Sequence, residues 1–166
     1  MSNKNIKSKK GFTIIEVVLV LAIAGLIFLM VFIALPALQR SQRDTQRRND
    51  MGRFISQLAQ RQANNNGKVP ELSKTGYTDF INNYLKAGGD QFSDPSTGSD
   101  YQIDNVLKCT SASACTNKTT TTTDMGKIYV YSNATCEGEN PKYVQGDNRI
   151  AITLNLEGAG IYCGHN

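Results

Sequence analysis

From Val17 to Leu35 the chain runs through 19 consecutive apolar or glycine residues, VVLVLAIAGLIFLMVFIAL. No other feature limits the fold as strongly. About 20 such residues, rising 1.5 Å each as an α-helix, cross a hydrocarbon layer of roughly 30 Å. A cleaved secretory signal has a shorter core, of about 7–15 residues, closed by a small-residue cleavage site. Neither feature is present, so the run reads as a membrane span.

The charges around the run set its direction. Lys4, Lys7, Lys9 and Lys10 precede it with no acid among them. The chain has 18 Lys and Arg against 14 Asp and Glu, so the net charge of +4 belongs entirely to the first ten residues. Basic residues beside a hydrophobic segment are retained on the cytoplasmic side, which places everything after the run outside. Beyond the leader the charge is balanced, and overall basicity carries no argument for a nucleic-acid partner.

After Pro36 the composition turns polar. Residues 39–64 contain Arg40, Arg43, Arg47, Arg48, Arg53 and Arg61, offset by Asp44 and Asp50. Met51, Phe54, Ile55 and Leu58 recur at i, i+3, i+4 and i+7, one apolar face of a helix. One long helix is therefore expected, membrane-embedded first and amphipathic later, and stopped by Asn64-Asn65-Asn66-Gly67. From Lys68 onward the chain resembles a small secreted domain. A short helix is expected over residues 77–86, and turns at Gly88-Gly89 and Asp94–Gly98. Residues 101–107, 127–132, 149–156 and 160–163 alternate apolar and polar side chains as half-buried strands do. Thr119–Thr123 reads as an exposed loop.

Cys109, Cys115, Cys136 and Cys163 all fall in the portion expected outside. An even count in an oxidising compartment favours disulfides, a common remedy for a thin core in so small a domain. Three connectivities satisfy four cysteines; the expected one closes a tight Cys109–Cys115 loop and ties the C-terminal strand back through Cys136–Cys163. A zinc site with His165 is set aside, because the intervening stretches of five, 20 and 26 residues match no common zinc pattern.

Gly11-Phe12-Thr13-Ile14-Ile15-Glu16 joins the basic flank to the span. This KGFTIIE junction, followed by the apolar run, resembles the class III signal of type IV prepilins and type II secretion pseudopilins. The likeness is close over roughly the first 50 residues. Beyond them it lies in layout: a turn at Gly67-Lys68-Val69-Pro70, and a DPxTGxxY stretch from Asp94 to Tyr101. The resemblance implies an α+β pilin fold, a long N-terminal helix packed on a small antiparallel β-sheet. It implies cleavage between Gly11 and Phe12 by a prepilin peptidase and N-methylation of Phe12. Glycine before the scissile bond offers no side chain to clash with a protease cleft, and the cut removes the lysines that oppose extraction from the membrane.

Glu16 is the chemically pointed residue of the junction. A carboxylate inside a span costs roughly 2.5–3.5 kcal/mol and usually has a function and a nameable partner; the bland reading is a side chain that snorkels or stays protonated. The resemblance assigns it to assembly, paired with the Phe12 amine of its own or a neighbouring subunit, since an unpaired charge in an apolar core is heavily penalised. Gly25 and Pro36 are the implied points of helix melting or kinking. Pro36 lies about three positions later than is commonest in the family, and it denies the Phe32 carbonyl its helical donor.

These readings divide the chain into a leader (1–11, removed), a transmembrane and filament-core helix (12–38), its amphipathic continuation (39–66) and an extracellular head (67–166). The expected role is a structural subunit of a type IV pilus filament, with adhesion, twitching motility and DNA uptake all open. Alternatives are a pseudopilin of a secretion or competence machine, and a signal-anchored extracellular binding protein. Expected partners are identical or related subunits, the prepilin peptidase, the assembly platform with its ATPase, and membrane lipid before assembly. The cytoplasmic membrane is the expected first location, the cell surface the second. DNA binding is weakly supported: exposed helix arginines are usually solvated or salt-bridged, and no aromatic interleaves residues 39–53 to stack on bases. Asp94, Asp100 and Asp104 match no calcium loop, and no metal or cofactor is expected. Asn117 and Asn133 begin glycosylation triplets, which predict exposure only. With no nucleophile–base pair in view, the chain is expected to be a substrate of enzymes rather than an enzyme.

Overall fold

A computed structural model describes residues 11–117, 125–158 and 160–166. The leader lysines and the Thr119–Thr123 run lie outside these residues. The chain divides into two units, Met1–Leu38 and Gln39–Asn166, and helix α1 (Ile14–Asn64) contributes to both. Among the described residues of the first unit none of the large apolar side chains is buried: exposure runs from 44% at Val31 and Leu35 to 90% at Phe12. Among the described residues α1 is the one helix long and apolar enough to cross a membrane. Water cannot solvate so continuous an apolar surface favourably, so this half of the helix requires lipid or other helices around it.

The second unit buries its own apolar residues. The α1 residues Met51, Phe54 and Leu58 are fully buried, as their spacing dictates, and Ile55 packs at the margin. The helix ends where Asn66 and Gly67 take positive φ (54° and 78°) and the Gly67 N–H returns to the Gln62 carbonyl, a left-handed stop that glycine and asparagine tolerate. Helix α2 (Lys74–Phe80) starts at Ser73, whose hydroxyl accepts from the Gly76 N–H. A π-helical turn, Ile81–Leu85, extends it and buries Ile81 and Leu85.

Among the described residues the strands form two sheets. The larger has the order β1-β2-β5-β6, built from β1 (Gln102–Lys108), β2 (Lys127–Ser132), β5 (Ile150–Asn155) and β6 (Ile161–His165). The smaller is a hairpin of β3 (Ala134–Glu137) and β4 (Asn140–Tyr143). The β2–β5 and β5–β6 pairings are antiparallel, while β1 joins β2 in parallel through a bulge between Ile103 and Asn105. Apolar alternation marks a strand but not its direction, so the parallel edge was not legible. Hairpin β3–β4 was also missed. Pro141 lies inside β4, and a proline within a short run argues against a strand. Its turn carries Gly138 at φ 62°, a glycine placement that two-residue hairpins favour.

Central strands β2 and β5 are buried on both faces. Ile128, Val130, Ile150, Ile152 and Leu154 face α1 and α2, in one core with Phe54, Tyr77, Phe80 and Phe92. Tyr129, Tyr131 and Ala151 face the other way, toward Cys109, Cys115 and Ala134. The four cysteines form two disulfides, Cys109–Cys115 and Cys136–Cys163. The second joins β3 of the hairpin to β6 of the larger sheet, covering a face that α1 and α2 leave open. Asn133 corrects the expectation of exposure at its triplet: it is buried, and its amide donates to the Cys109 carbonyl.

Chain-entropy arguments scale disulfide stabilisation with loop length, about 3–4 kcal/mol for the 27-residue separation of Cys136–Cys163 and about 2 kcal/mol for the six-residue separation of Cys109–Cys115. Replacing Cys136 and Cys163 with serine should therefore lower the denaturation midpoint of the detergent-solubilised chain more than replacing Cys109 and Cys115. Equal losses would mean that the hairpin is held by its apolar contacts instead.

Candidate functional site

Two groupings of polar residues stand out, one in each unit. In the first unit Glu16 is the only charged side chain between Gly11 and Leu38. Helix α1 begins just after Thr13, and the two residues cap it reciprocally. The Glu16 carboxylate accepts from the Thr13 N–H at 2.8 Å and from the Thr13 hydroxyl at 2.9 Å, while the Glu16 N–H donates to that hydroxyl at 3.4 Å. A Thr-x-x-Glu box satisfies donors that the first turn leaves without intrahelical partners. The two bonds given to this carboxylate thus come from Thr13, and in the uncleaved chain the Phe12 nitrogen is an amide rather than a cation.

Gly11 and Phe12 precede the helix, both exposed. A Cβ built on Gly11 or on Gly25 would meet nothing within 4 Å, and neither has positive φ. The described fold gives no reason for glycine at either place, so any requirement for it must come from another molecule. Pro36 lies inside α1, which continues through it.

In the second unit Arg47 is fully buried and is the largest such side chain. Its Nε donates to Asp94 Oδ2 at 2.6 Å and its Nη1 to Asp44 Oδ1 at 2.9 Å. Its Nη2 reaches Asp94 Oδ1 at 3.0 Å, the Ser96 hydroxyl at 2.7 Å and Glu157 Oε1 at 2.9 Å. Arg43 approaches Glu157 with its Nε 3.0 Å from each carboxylate oxygen. Asp44 closes the cluster by accepting from the Glu157 and Gly158 N–H groups at 2.8 and 2.7 Å. Asp94 also holds its own turn, accepting from the Ser96 and Thr97 N–H groups. Gly126 packs behind it at φ 74°, where an added Cβ would lie 3.2 Å from the Asp94 Cβ.

This clamp joins α1 to the turn before β1 and to the β5–β6 connection. Burial would raise the Asp94 carboxyl, but hydrogen bonds from Arg47 and Ser96 outweigh it and hold the group at about 2. The Arg43 hydrogen bonds hold Glu157 down to about 2 as well. Burial disfavours the Arg47 cation, yet its partners leave it held more firmly than an ordinary arginine. Asp50, buried deeper along α1 and bonded to the Tyr101 hydroxyl at 3.2 Å, is pushed up by burial.

The arginine stretch is in part solvated and in part salt-bridged. Arg40 and Arg48 are exposed, whereas Arg43 and Arg47 are ion-paired, so the stretch presents no continuous basic surface. Asp94 and Asp100 are likewise engaged, the latter with Lys86 at 2.6 Å, and the described residues hold no group of three metal-ligating side chains. A signal for the clamp existed. Asp44, Arg47, Met51, Phe54 and Leu58 follow one another at steps of three and four, so the apolar face traced backwards lands on Arg47.

The helix-on-sheet architecture, the apolar first half of α1 and the two disulfides define a pilin-like α+β protein. Residues 6–32 match the family model of the prokaryotic N-terminal methylation motif, the class III signal of type IV pilins and prepilins. No curated protein and no solved structure matches the chain. The chain thus carries the N-terminal signal of type IV pilins and prepilins on a pilin-like α+β fold, and the motif supports a pilin-like or pseudopilin reading. The motif implies processing by a prepilin peptidase and polymerisation, and motif and apolar helix together fit membrane anchoring beforehand.

Breaking a buried ion pair by removing one partner costs about 3–5 kcal/mol, so Arg47→Ala should destabilise the chain by about that amount. Arg48→Ala, one residue on, should stay within about 0.5 kcal/mol. Asp94 and Glu157 have folded values below their ordinary 3.8 and 4.5. Their contribution is therefore complete above about pH 4.5 and is lost as the pH falls toward 2. Asp50 works in the opposite sense, one group against two. Denaturant titrations at pH 6, 4 and 3 should show a fall that Glu157→Gln diminishes; a flat profile would contradict the clamp's charge state.

Proposed function

We propose that the chain is the structural subunit of a type IV pilus filament. It is inserted by its apolar segment with the head outside, trimmed between Gly11 and Phe12, methylated at Phe12, and polymerised through residues 12–38. One observation carries this reading: every large apolar side chain of that segment is exposed, with a single carboxylate at its start. Such a surface is stable only in lipid or against copies of itself. A filament axis replaces lipid with neighbouring helices without exposing the segment to water.

Within that axis Glu16 takes the Phe12 amine of its own or a neighbouring subunit, because a charge in apolar surroundings needs a counter-charge. Methylation keeps the amine positive. Gly11 serves the peptidase cleft, consistent with the open space around it, and Gly25 and Pro36 allow the helix to yield as subunits pack. The assembly platform and its ATPase extract the trimmed subunit from the membrane. The chain acts as an enzyme's substrate, and its disulfides suit a head exposed outside the cell.

Mass spectrometry of the mature protein should give an N-terminus at Phe12 bearing one added methyl group; a chain that still begins at Met1 would sink the reading in favour of a signal-anchored domain. Gly11→Ala or a bulkier change should block trimming. Glu16→Val should leave trimming intact and abolish or greatly reduce filaments, and normal fibres from that variant would remove the ion-pair role. Immunogold labelling along long surface fibres separates a pilus subunit from a pseudopilin, which should give no such fibres.

A further inference from the structure

Helix α1 enters the second unit through four exposed residues, Gln39, Arg40, Ser41 and Gln42. Along the chain, the first side chain tied to the sheet layer is Arg43, through Glu157, followed by Asp44 and Arg47. The first buried apolar residue, Met51, comes a full turn after Arg47. Upstream, Pro36 gives the helix an intrinsic weak point, since it leaves the Phe32 carbonyl without its i+4 donor and crowds it. Among the described residues, every long-range side-chain tie between that weak point and the apolar core involves a charged group.

We propose that the Arg43–Asp44–Arg47 clamp is a stop that confines unwinding of α1 to residues before Arg43. The rest of α1 and the head then open only together, while the stretch around Pro36 opens independently. The partners are well placed for this. Glu157 and Gly158 lie in the connection between β5 and β6, and Asp94 stands in the turn that leads into β1, so tension arriving along α1 spreads to both sides of the sheet. Local openings in proteins occur in cooperative blocks whose limits fall where buried contacts begin, and here they begin with ion pairs. The groups facing the clamp are Arg43, Asp44, Arg47 and Asp50 on α1, Asp94 before β1, and Glu157 after β5. Protonating Asp94 and Glu157 loosens the clamp, so the stop should shift toward Met51 as the pH falls toward 2. The clamp itself lies wholly in the second unit, and the inference holds whichever filament the chain builds.

Hydrogen exchange read by mass spectrometry on the full chain in detergent micelles tests it. In the unaltered protein, amides of residues 44–50 should be protected with the sheet, at least tenfold more strongly than those of residues 38–42. Arg47→Met should speed exchange at residues 43–49 at least tenfold while leaving β2 and β5 unchanged. If Arg47→Met fails to fold, Glu157→Gln and Ser96→Ala, each weakening part of the clamp, should speed exchange over the same residues by smaller factors. Arg48→Gln should change nothing. Protection that runs evenly from residue 38 to residue 50, or folded Glu157→Gln and Ser96→Ala proteins with unaltered exchange at 43–49, would overturn the proposal.

Discussion

A guanidinium with no solvent exposure, surrounded by three carboxylates and a hydroxyl, sets much of the head's architecture. Burying a charge is severely unfavourable unless its hydrogen-bonding capacity is met. Arg47 meets that condition with groups drawn from α1, the turn before β1 and the β5–β6 connection. The requirement runs both ways: Asp94 is equally buried, and it satisfies its oxygens with Arg47 and with the amides of its own turn. The DPSTG stretch therefore has a fixed shape because it serves the arginine. Gly126, at positive φ, packs beside Asp94 where an added Cβ would crowd it. Replacing such a cluster by apolar side chains is often neutral or better for stability, so its value lies in what geometry it permits. Apolar contacts allow many registers between helix and sheet, whereas a fork of donors allows few.

The sequence was most readable where one physical demand acts alone. The long apolar helix followed from length and hydropathy. The helix stop at Asn66-Gly67 followed from left-handed tolerance, and Met51, Phe54 and Leu58 followed from spacing. The four strands of the larger sheet were placed to within a few residues because β-branched and aromatic residues cluster there. Legibility failed where a local signal was overridden by distant partners. Nothing near Arg47 in sequence announces Asp94 or Glu157, so a charged residue on the buried face looked like another solvated arginine. Pro141 concealed a strand that survives because its hairpin is short and is stapled to β6 by Cys136–Cys163. Asn133 looked like a surface triplet, yet its positive φ and its bond to the Cys109 carbonyl bury it.

At the amino-terminal junction, the motif was legible as a pattern while its local geometry was not. The six residues from Gly11 to Glu16 carry a family likeness in their types alone. That Thr13 and Glu16 cap one another is a second use of the same acid, set by the unpaired donors of a first helical turn. This pairing explains how an acidic side chain can stand at the head of an apolar helix before any neighbour arrives. Its charge faces two hydrogen-bond donors and the positive end of the helix dipole. The proposed trimming to Phe12 would place a cation one residue before Thr13 without removing either donor.

The two units solve opposite problems with the same helix. In Gln39–Asn166 the fold supplies partners internally, even for an arginine, and central strands are covered on both faces. In Met1–Leu38 the described residues supply almost none: the apolar side chains are exposed, and Gly11 and Gly25 have open space around them. A free-standing stable protein has no use for the second arrangement, because roughly 25 cal/mol per Å² of apolar surface would be left ungained. The deficit becomes useful only if the missing surface is provided by something the chain is about to join. Lipid meets that need without specificity. Identical helices meet it with a register, provided each carries a polar mark that cannot be buried out of place. In the proposed filament Glu16 would be that mark, since along residues 11–38 no other side chain carries a charge for a neighbour to match.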